Sequence, residues 1–100
     1  MNKIDMNKLE FLSKLKGKRL EGELHHWVLR DVPDPDTGEI LGRLAYGWKN
    51  GFRTWRTSAV LEVLETSDGH KLIETRSSYY LLVGDEATEE ETAALYREIF

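Results

Sequence analysis

The segment from Arg43 to Arg56 has the residue types best suited to binding, because it interleaves basic and aromatic side chains and contains no acid. Aromatic rings stack on bases and cations contact phosphates, so this composition suits single-stranded nucleic acid. Trp and Arg also dominate protein interfaces, because they bury large areas and form forked hydrogen bonds. Alternatively, the aromatic residues build the core and the arginines cover them. The candidate residues are Trp48, Lys49, Phe52, Arg53, Trp55 and Arg56. We expect the tip at 49–53 to be exposed.

The three histidines form no recognisable metal or catalytic motif. His25 and His26 are neighbours on a predicted strand and should point to opposite faces, so they are poorly placed to bind one ion. His70 lies beside a turn far along the chain. The chain has no cysteine, which excludes disulfides and thiolate zinc sites. No serine lies in a Gly-x-Ser-x-Gly elbow. We predict no metal, no cofactor and no catalytic residue, although a Ser–His–acid group assembled only in space stays open.

Two acidic segments have competing interpretations. Residues 34–39 resemble part of a calcium loop but lack its twelve-residue ligand pattern, so a hairpin turn is preferred. Glu89, Glu90 and Glu91 suit a solvated helix start, where acids are favoured by the helix dipole. They could also mimic phosphates and occupy a basic groove on a partner. We therefore take these three glutamates as a second candidate for partner binding.

Length and composition indicate one domain over residues 1–100. The 100 residues are 40% hydrophobic and 10% aromatic, enough for a thin core and against disorder. The net charge is −4. The first 18 residues lack a signal-peptide run, and no segment approaches the ~20 apolar residues of a membrane span. We expect a cytoplasmic protein without membrane contact, either a monomer or a homodimer.

A helix is predicted at each end of the chain. The first covers about 5–16, is capped by Asp5, ends at Gly17 and carries an apolar stripe. Its stripe consists of Leu9, Phe11, Leu12 and Leu15. The second covers about 88–100 and starts with a capping box in which Thr88 and Glu91 exchange hydrogen bonds. Its sheet-facing residues should be Ala94, Leu95 and Ile99.

Between the helices, alternating apolar residues and turn signals predict a β-meander over about 19–83. Its strands are expected at about 19–32, 39–48, 53–66 and 71–83, with an interruption at Ser77-Ser78 that would create a fifth. The turns are 33–38, Asn50-Gly51 and 67–69. The fold class is therefore α+β, with a four- to five-stranded antiparallel meander. Either a twisted sheet or a small SH3-like barrel fits this pattern.

Residues 42–82 resemble a group of small, mostly uncharacterised phage and prophage proteins. The resemblance rests on R-T-S-x-V at 56–60 and, after a Gly-containing turn, T-x-S-x-Y-x-L at 75–81. This chain departs from that pattern in having Trp48 and Trp55 around the central turn. The resemblance implies no catalytic residues. It gives the hydroxyl groups of the pattern a structural role at strand corners, namely those of Thr57, Ser58, Thr75, Ser77 and Tyr79.

A phage origin implies a non-enzymatic protein that binds and inhibits a host protein in the bacterial cytoplasm. The implied target is a bacterial defence complex of the CRISPR type. The alternative is a small nucleic-acid-binding module that uses the same basic-aromatic strip. An unrecognised hydrolase is the third possibility.

Overall fold

The computed structural model describes residues 3–49 and 52–96, and the side chains of residues 4–49 and 55–96. The first part of the chain contains β1 (Lys3–Ile4), α1 (Met6–Lys16), β2 (Arg19–Pro33) and β3 (Ile40–Lys49). The second part contains β4 (Phe52–Arg56), β5 (Val60–Thr66), β6 (Lys71–Thr75), β7 (Ser78–Leu82) and α2 (Glu89–Tyr96).

Two three-stranded antiparallel meanders form the sheet. β2, β3 and β4 make the first meander, and β5, β6 and β7 make the second. The two are joined by a parallel pairing of β7 with the first half of β2, and the short β1 lies parallel to β5. The order across the described sheet is β1-β5-β6-β7-β2-β3-β4.

The α+β class is confirmed, whereas the strand count and the purely antiparallel topology are wrong. Six strands and the two-residue β1 form a mixed, curled sheet in the described residues. The strand predicted at 53–66 is two strands, because β4 pairs with β3 while β5 pairs with β6. The segment predicted at 71–83 is a hairpin of β6 and β7, interrupted at 76–77.

Thr57 forms the corner at which the chain leaves β4 for β5. Its backbone N–H donates to the carbonyl of Ala45 at 2.9 Å, and its hydroxyl oxygen accepts the Ala45 N–H at 3.1 Å. The same hydroxyl donates to the Ser58 carbonyl at 2.8 Å. Thr75 has a similar role at the β6–β7 turn, where its hydroxyl donates to the Ser78 carbonyl and accepts the Ser78 N–H. The structural role expected for the Thr57 and Thr75 hydroxyls is confirmed. The same role expected for the Tyr79 hydroxyl is wrong, because this group has no hydrogen-bond partner among the described residues.

The turns follow their local chemistry. The Asp34 carboxylate accepts the N–H of Asp36 at 2.8 Å, and Gly38 has a φ of 76°, as the predicted turn at 33–38 requires. Gly69, with a φ of 91°, completes the turn between β5 and β6. The Asn50-Gly51 turn lies outside the described residues, but Lys49 pairs with Phe52 on either side of it.

β2 contains a bulge that the sequence alternation did not reveal. His26 has a φ of 52°, and the pairing of β2 with β3 shifts between His25 and Val28. Because an extra residue changes which side chains share a face, Trp27 and Val28 are both buried although they are neighbours. The regular alternation expected of this strand is therefore interrupted at the bulge.

Apolar residues fill both sides of the sheet. We call the concave side the inner face, and it holds Leu24, Trp27, Ala45, Ile73, Tyr80 and Leu82. The other side is the outer face. There α1 covers a second cluster, which consists of Ile4, Leu9, Leu72 and Tyr79. The Asp5 cap and the left-handed Gly17 are confirmed.

The α1 stripe is narrower than predicted. Leu9 is buried and Leu12 is half-buried, whereas Phe11 and Leu15 are 65% and 70% exposed. Phe11 and Leu15 lie on the opposite side of α1, because the helix packs on the sheet through Leu9 and Leu12. The expectation that all four residues face the core is therefore wrong.

The segment after β7 runs alongside β2 before α2 begins. The Ala87 N–H donates to the Trp27 carbonyl at 2.9 Å, and the Trp27 indole donates to the Gly84 carbonyl at 3.1 Å. In α2, Thr92 and Tyr96 are buried, Leu95 is half-buried and Ala94 is exposed, so the prediction for Ala94 is wrong. Ile99 lies outside the described residues. Neither described helix is long and apolar enough to cross a membrane.

Thr57→Val should lower the free energy of unfolding by about 1–3 kcal/mol, because it leaves the buried Ala45 N–H without its acceptor. Urea unfolding measures the change. Ser58→Ala is the matched control, since the exposed Ser58 contributes its backbone carbonyl to the corner. Equal stability of Thr57→Val and wild type would contradict the role of this hydroxyl.

Candidate functional site

The basic-aromatic strip is divided between the two faces of β3 and β4. Gly47 pairs with Trp55, which packs against the inner core, and Tyr46 pairs with Arg56. Side chains alternate along a strand, so Tyr46 and Arg56 lie on the outer face. The strip is therefore not one continuous surface, and its two sides need separate descriptions.

Lys49 is buried, with 7% of its surface exposed, so the expectation that it forms an exposed tip is wrong. Its ammonium nitrogen lies 4.2 Å from the centre of the Trp55 ring. Gly22 makes room for its aliphatic stem, because a Cβ at that position would lie 2.9 Å from Lys49 Cε. The cation is stabilised by the indole face and its stem by burial. The sequence offered no signal for this contact beyond a glycine within β2.

Trp55 packs against the core, as the alternative interpretation of the strip expected for this residue. Its ring packs against the inner cluster, and its indole N–H donates to the Tyr80 hydroxyl over 3.4 Å. Trp55 is half-buried, and both its ring and its indole N–H are engaged on the inner face of the sheet. We remove Trp55 and Lys49 from the candidate contact residues.

Trp48 and Arg56 remain candidates. Trp48 is half-buried, and its ring meets the His26 ring edge to face at 5.0 Å. Arg56 is exposed, and Tyr46 beside it is half-buried. Phe52 and Arg53 lie in β4, but their side chains fall outside the described residues. We use the name outer strip for Tyr46, Trp48 and Arg56.

The acidic residues at the start of α2 are exposed, and one of them has a structural role. The Glu91 carboxylate accepts the Thr88 N–H at 3.2 Å, while the Thr88 hydroxyl accepts the Glu91 N–H at 3.1 Å. This is the predicted capping box. Glu89 and Glu90 are exposed and take no part in these two hydrogen bonds, so both carboxylates are available to a partner.

The three histidines contact different groups, and His26 packs against Trp48. His25 contacts Glu23 at 3.3 Å, and His70 lies 3.9 Å from Asp68. Among the described residues, no group of three or more His, Asp or Glu side chains could hold a metal ion.

A charged cluster beneath α1 was not predicted. Glu74 is 4% exposed, and its carboxylate accepts hydrogen bonds from Lys16 at 3.1 and 3.2 Å and from Lys18 at 2.5 Å. Lys16 and Lys18 are 58 and 56 residues away from Glu74 in the sequence. Nothing in the local sequence distinguishes Glu74 from another polar residue of an alternating strand. The three residues meet only because the end of α1 and the residues that follow it pack beside the end of β6.

The cluster changes the pKa values of its members. Burial alone would raise the pKa of Glu74, but hydrogen bonds from Lys18 and Lys16 outweigh it and hold this pKa below the ordinary value of 4.5. The hydrogen bond to Glu74 raises the pKa of Lys16 above 10.5. The Glu74 contribution to stability is therefore complete above pH 4.5 and is lost as the pH falls below it. The Lys16 contribution is lost only as the pH rises above 10.5.

Glu74→Gln should lower the free energy of unfolding at pH 7 by about 2 kcal/mol, because both lysines lose a buried charged partner. The difference from wild type should shrink as the pH falls below 4.5, where wild-type Glu74 gains its proton. Denaturant unfolding at a series of pH values measures both effects. The exposed neighbour Glu62 pairs with Glu74 across the strands, so Glu62→Gln is the control and should change stability little. A difference that stays constant down to pH 2 would be inconsistent with a depressed Glu74 pKa.

No protein-family model matches the chain, and no curated protein and no solved structure matches it either.

Proposed function

We propose that this is a non-enzymatic binding protein that inhibits a host protein, and that the outer strip is its contact surface. The observation that supports the proposal is the position of Trp48 and Arg56 on one face of the β3–β4 hairpin. A half-buried indole held in a fixed orientation by His26 and an exposed guanidinium nearby are the residue types that dominate protein interfaces.

The surroundings of the outer strip favour a rigid contact. The Tyr96 hydroxyl donates to the His26 carbonyl at 2.7 Å, so the end of α2 is tied to the bulge on which Trp48 rests. Burial raises the pKa of Tyr96 to about 12, so this hydroxyl remains a donor well into the alkaline range. A preorganised surface loses less conformational entropy when it binds a partner.

The buried position of Lys49 favours a protein partner over nucleic acid. Its ammonium group lies against Trp55 inside the sheet, where it contributes no contact to a phosphate backbone. Nucleic-acid affinity grows with the number of phosphates that cations neutralise. On the described outer strip, Arg56 is the exposed cation. One cation–phosphate contact is too few to hold an oligonucleotide tightly.

A bacterial defence complex of the CRISPR type is the target class that we propose, on the basis of the resemblance of residues 42–82 to small phage proteins. Glu89 and Glu90 at the start of α2 form a second, acidic contact in this proposal. The proposed setting is the bacterial cytoplasm.

Capture of partners from a lysate of phage-sensitive bacteria, with identification by mass spectrometry, tests the proposal. Arg56→Glu and Trp48→Ala should each reduce recovery of a specific host protein by about tenfold, as expected for interface residues of this type. Arg76→Glu is the matched control, because Arg76 is also exposed but lies in the β6–β7 turn. Its recovery should equal that of wild type.

Three results would count against this assignment. Recovery of no specific host protein would remove the inhibitor role, and equal recovery by Arg56→Glu would move the contact elsewhere. Salt-dependent binding of the isolated protein to an oligonucleotide would support the nucleic-acid module instead. Because Trp48 packs on His26, the folded state of Trp48→Ala is checked by urea unfolding, and Arg56→Glu carries the test if that variant is destabilised.

A further inference from the structure

A cavity of about 230 Å³ lies between α1 and the outer face of the second meander. Its apolar walls are Ile4, Leu12 and Leu64, and its polar side includes Lys16, Glu74 and Tyr79. The volume greatly exceeds the ~15 Å³ needed for one water and falls below the ~300 Å³ at which most ligand pockets begin. The space therefore suits a compact organic molecule.

Tyr79 is a lining residue of this cavity whose hydroxyl group is unexplained. Tyr79 is fully buried, and its hydroxyl has no hydrogen-bond partner in the part of the chain that the structure describes. Glu62, Glu74 and Tyr79 pair across β5, β6 and β7, which places the three side chains in one row beneath α1. Buried hydroxyl groups in folded proteins are nearly always hydrogen-bonded, so this one points to a missing polar partner.

The charges around the cavity favour an anion. Lys8 and Lys16 line it together with Glu62 and Glu74, and Lys18 also binds the Glu74 carboxylate. Three cations thus meet two carboxylates, which leaves a positive surplus. Glu74 already engages Lys16 and Lys18, so an added carboxylate would find the Tyr79 O–H as a donor and Lys16 as a shared cation.

We propose that this cavity binds a small organic carboxylate with a compact apolar body. Its carboxylate accepts hydrogen bonds from Tyr79 and Lys16, and its apolar body lies against Leu12 and Leu64. This site is on the α1 side of the second meander and is independent of the partner-binding role of the outer strip. Failure of either proposal therefore leaves the other standing.

Titration of the whole protein with sodium benzoate, followed by NMR chemical shifts, tests the site. Saturable shifts should appear at residues around the cavity, with a Kd of about 1 mM, as expected for so small a ligand. Benzyl alcohol has the same apolar body without the charge, and it should bind about tenfold more weakly or less.

Variants separate a binding site from a defect in packing. Tyr79→Phe should weaken benzoate binding about tenfold while the protein stays at least as stable, because the hydroxyl it removes has no protein partner. Tyr80→Phe is the matched control on the same strand, since Tyr80 faces the inner core, and it should bind benzoate as wild type does. Lys16→Met should also weaken binding about tenfold, and Glu74 keeps Lys18 in that variant.

The absence of saturable benzoate binding would overturn the proposal. Equal affinity for benzoate and benzyl alcohol would also overturn it, because the charges would then play no part. If Tyr79→Phe and Lys16→Met both bind benzoate as tightly as wild type, the Tyr79 hydroxyl is satisfied by water and the cavity is not a carboxylate site.

Discussion

The three-residue connection from β4 to β5 constrains the whole sheet. In the order of strands these two stand five positions apart, at opposite ends of the sheet except for the short β1. Strands lie about 4.8 Å apart, so a flat sheet would separate them by about 24 Å. The chain from Arg56 to Val60 spans at most about 14 Å. The sheet therefore has to curl, and the hydrogen bonds between Thr57 and Ala45 fix the position at which its ends approach.

The curl explains why the basic-aromatic strip was divided. A flat hairpin would expose both sides of β4, but in the curled sheet Trp55 turns into the concave core and Lys49 follows it. Trp48 and Arg56, on the other face, remain accessible. The same curl leaves the outer face of the second meander to α1, where the Glu74 cluster and its neighbouring cavity lie. The two proposed binding surfaces are thus consequences of one backbone constraint.

Features set by neighbouring residues were predictable from the sequence. The Asp5 cap, the Thr88–Glu91 capping box and the turn ending at Gly38 depend on side chains within a few positions of each other. The parallel pairing of β2 with β7 joins Leu20 to Tyr79, and no local pattern encodes it. Burial of Lys49 likewise depends on Gly22 and Trp55, which meet it only after the sheet has formed. Sequence reasoning therefore located the hairpin but misjudged which of its side chains reach solvent.

Native-state hydrogen exchange at the amides of Ala45 and Thr57 tests the central constraint most directly. Both N–H groups take part in the corner, so they should exchange only through global unfolding, with the same free energy as the amides of the core strands. Exchange of these two amides by local opening, at a free energy several kcal/mol below that of the core, would show that the corner does not hold the ends of the sheet together.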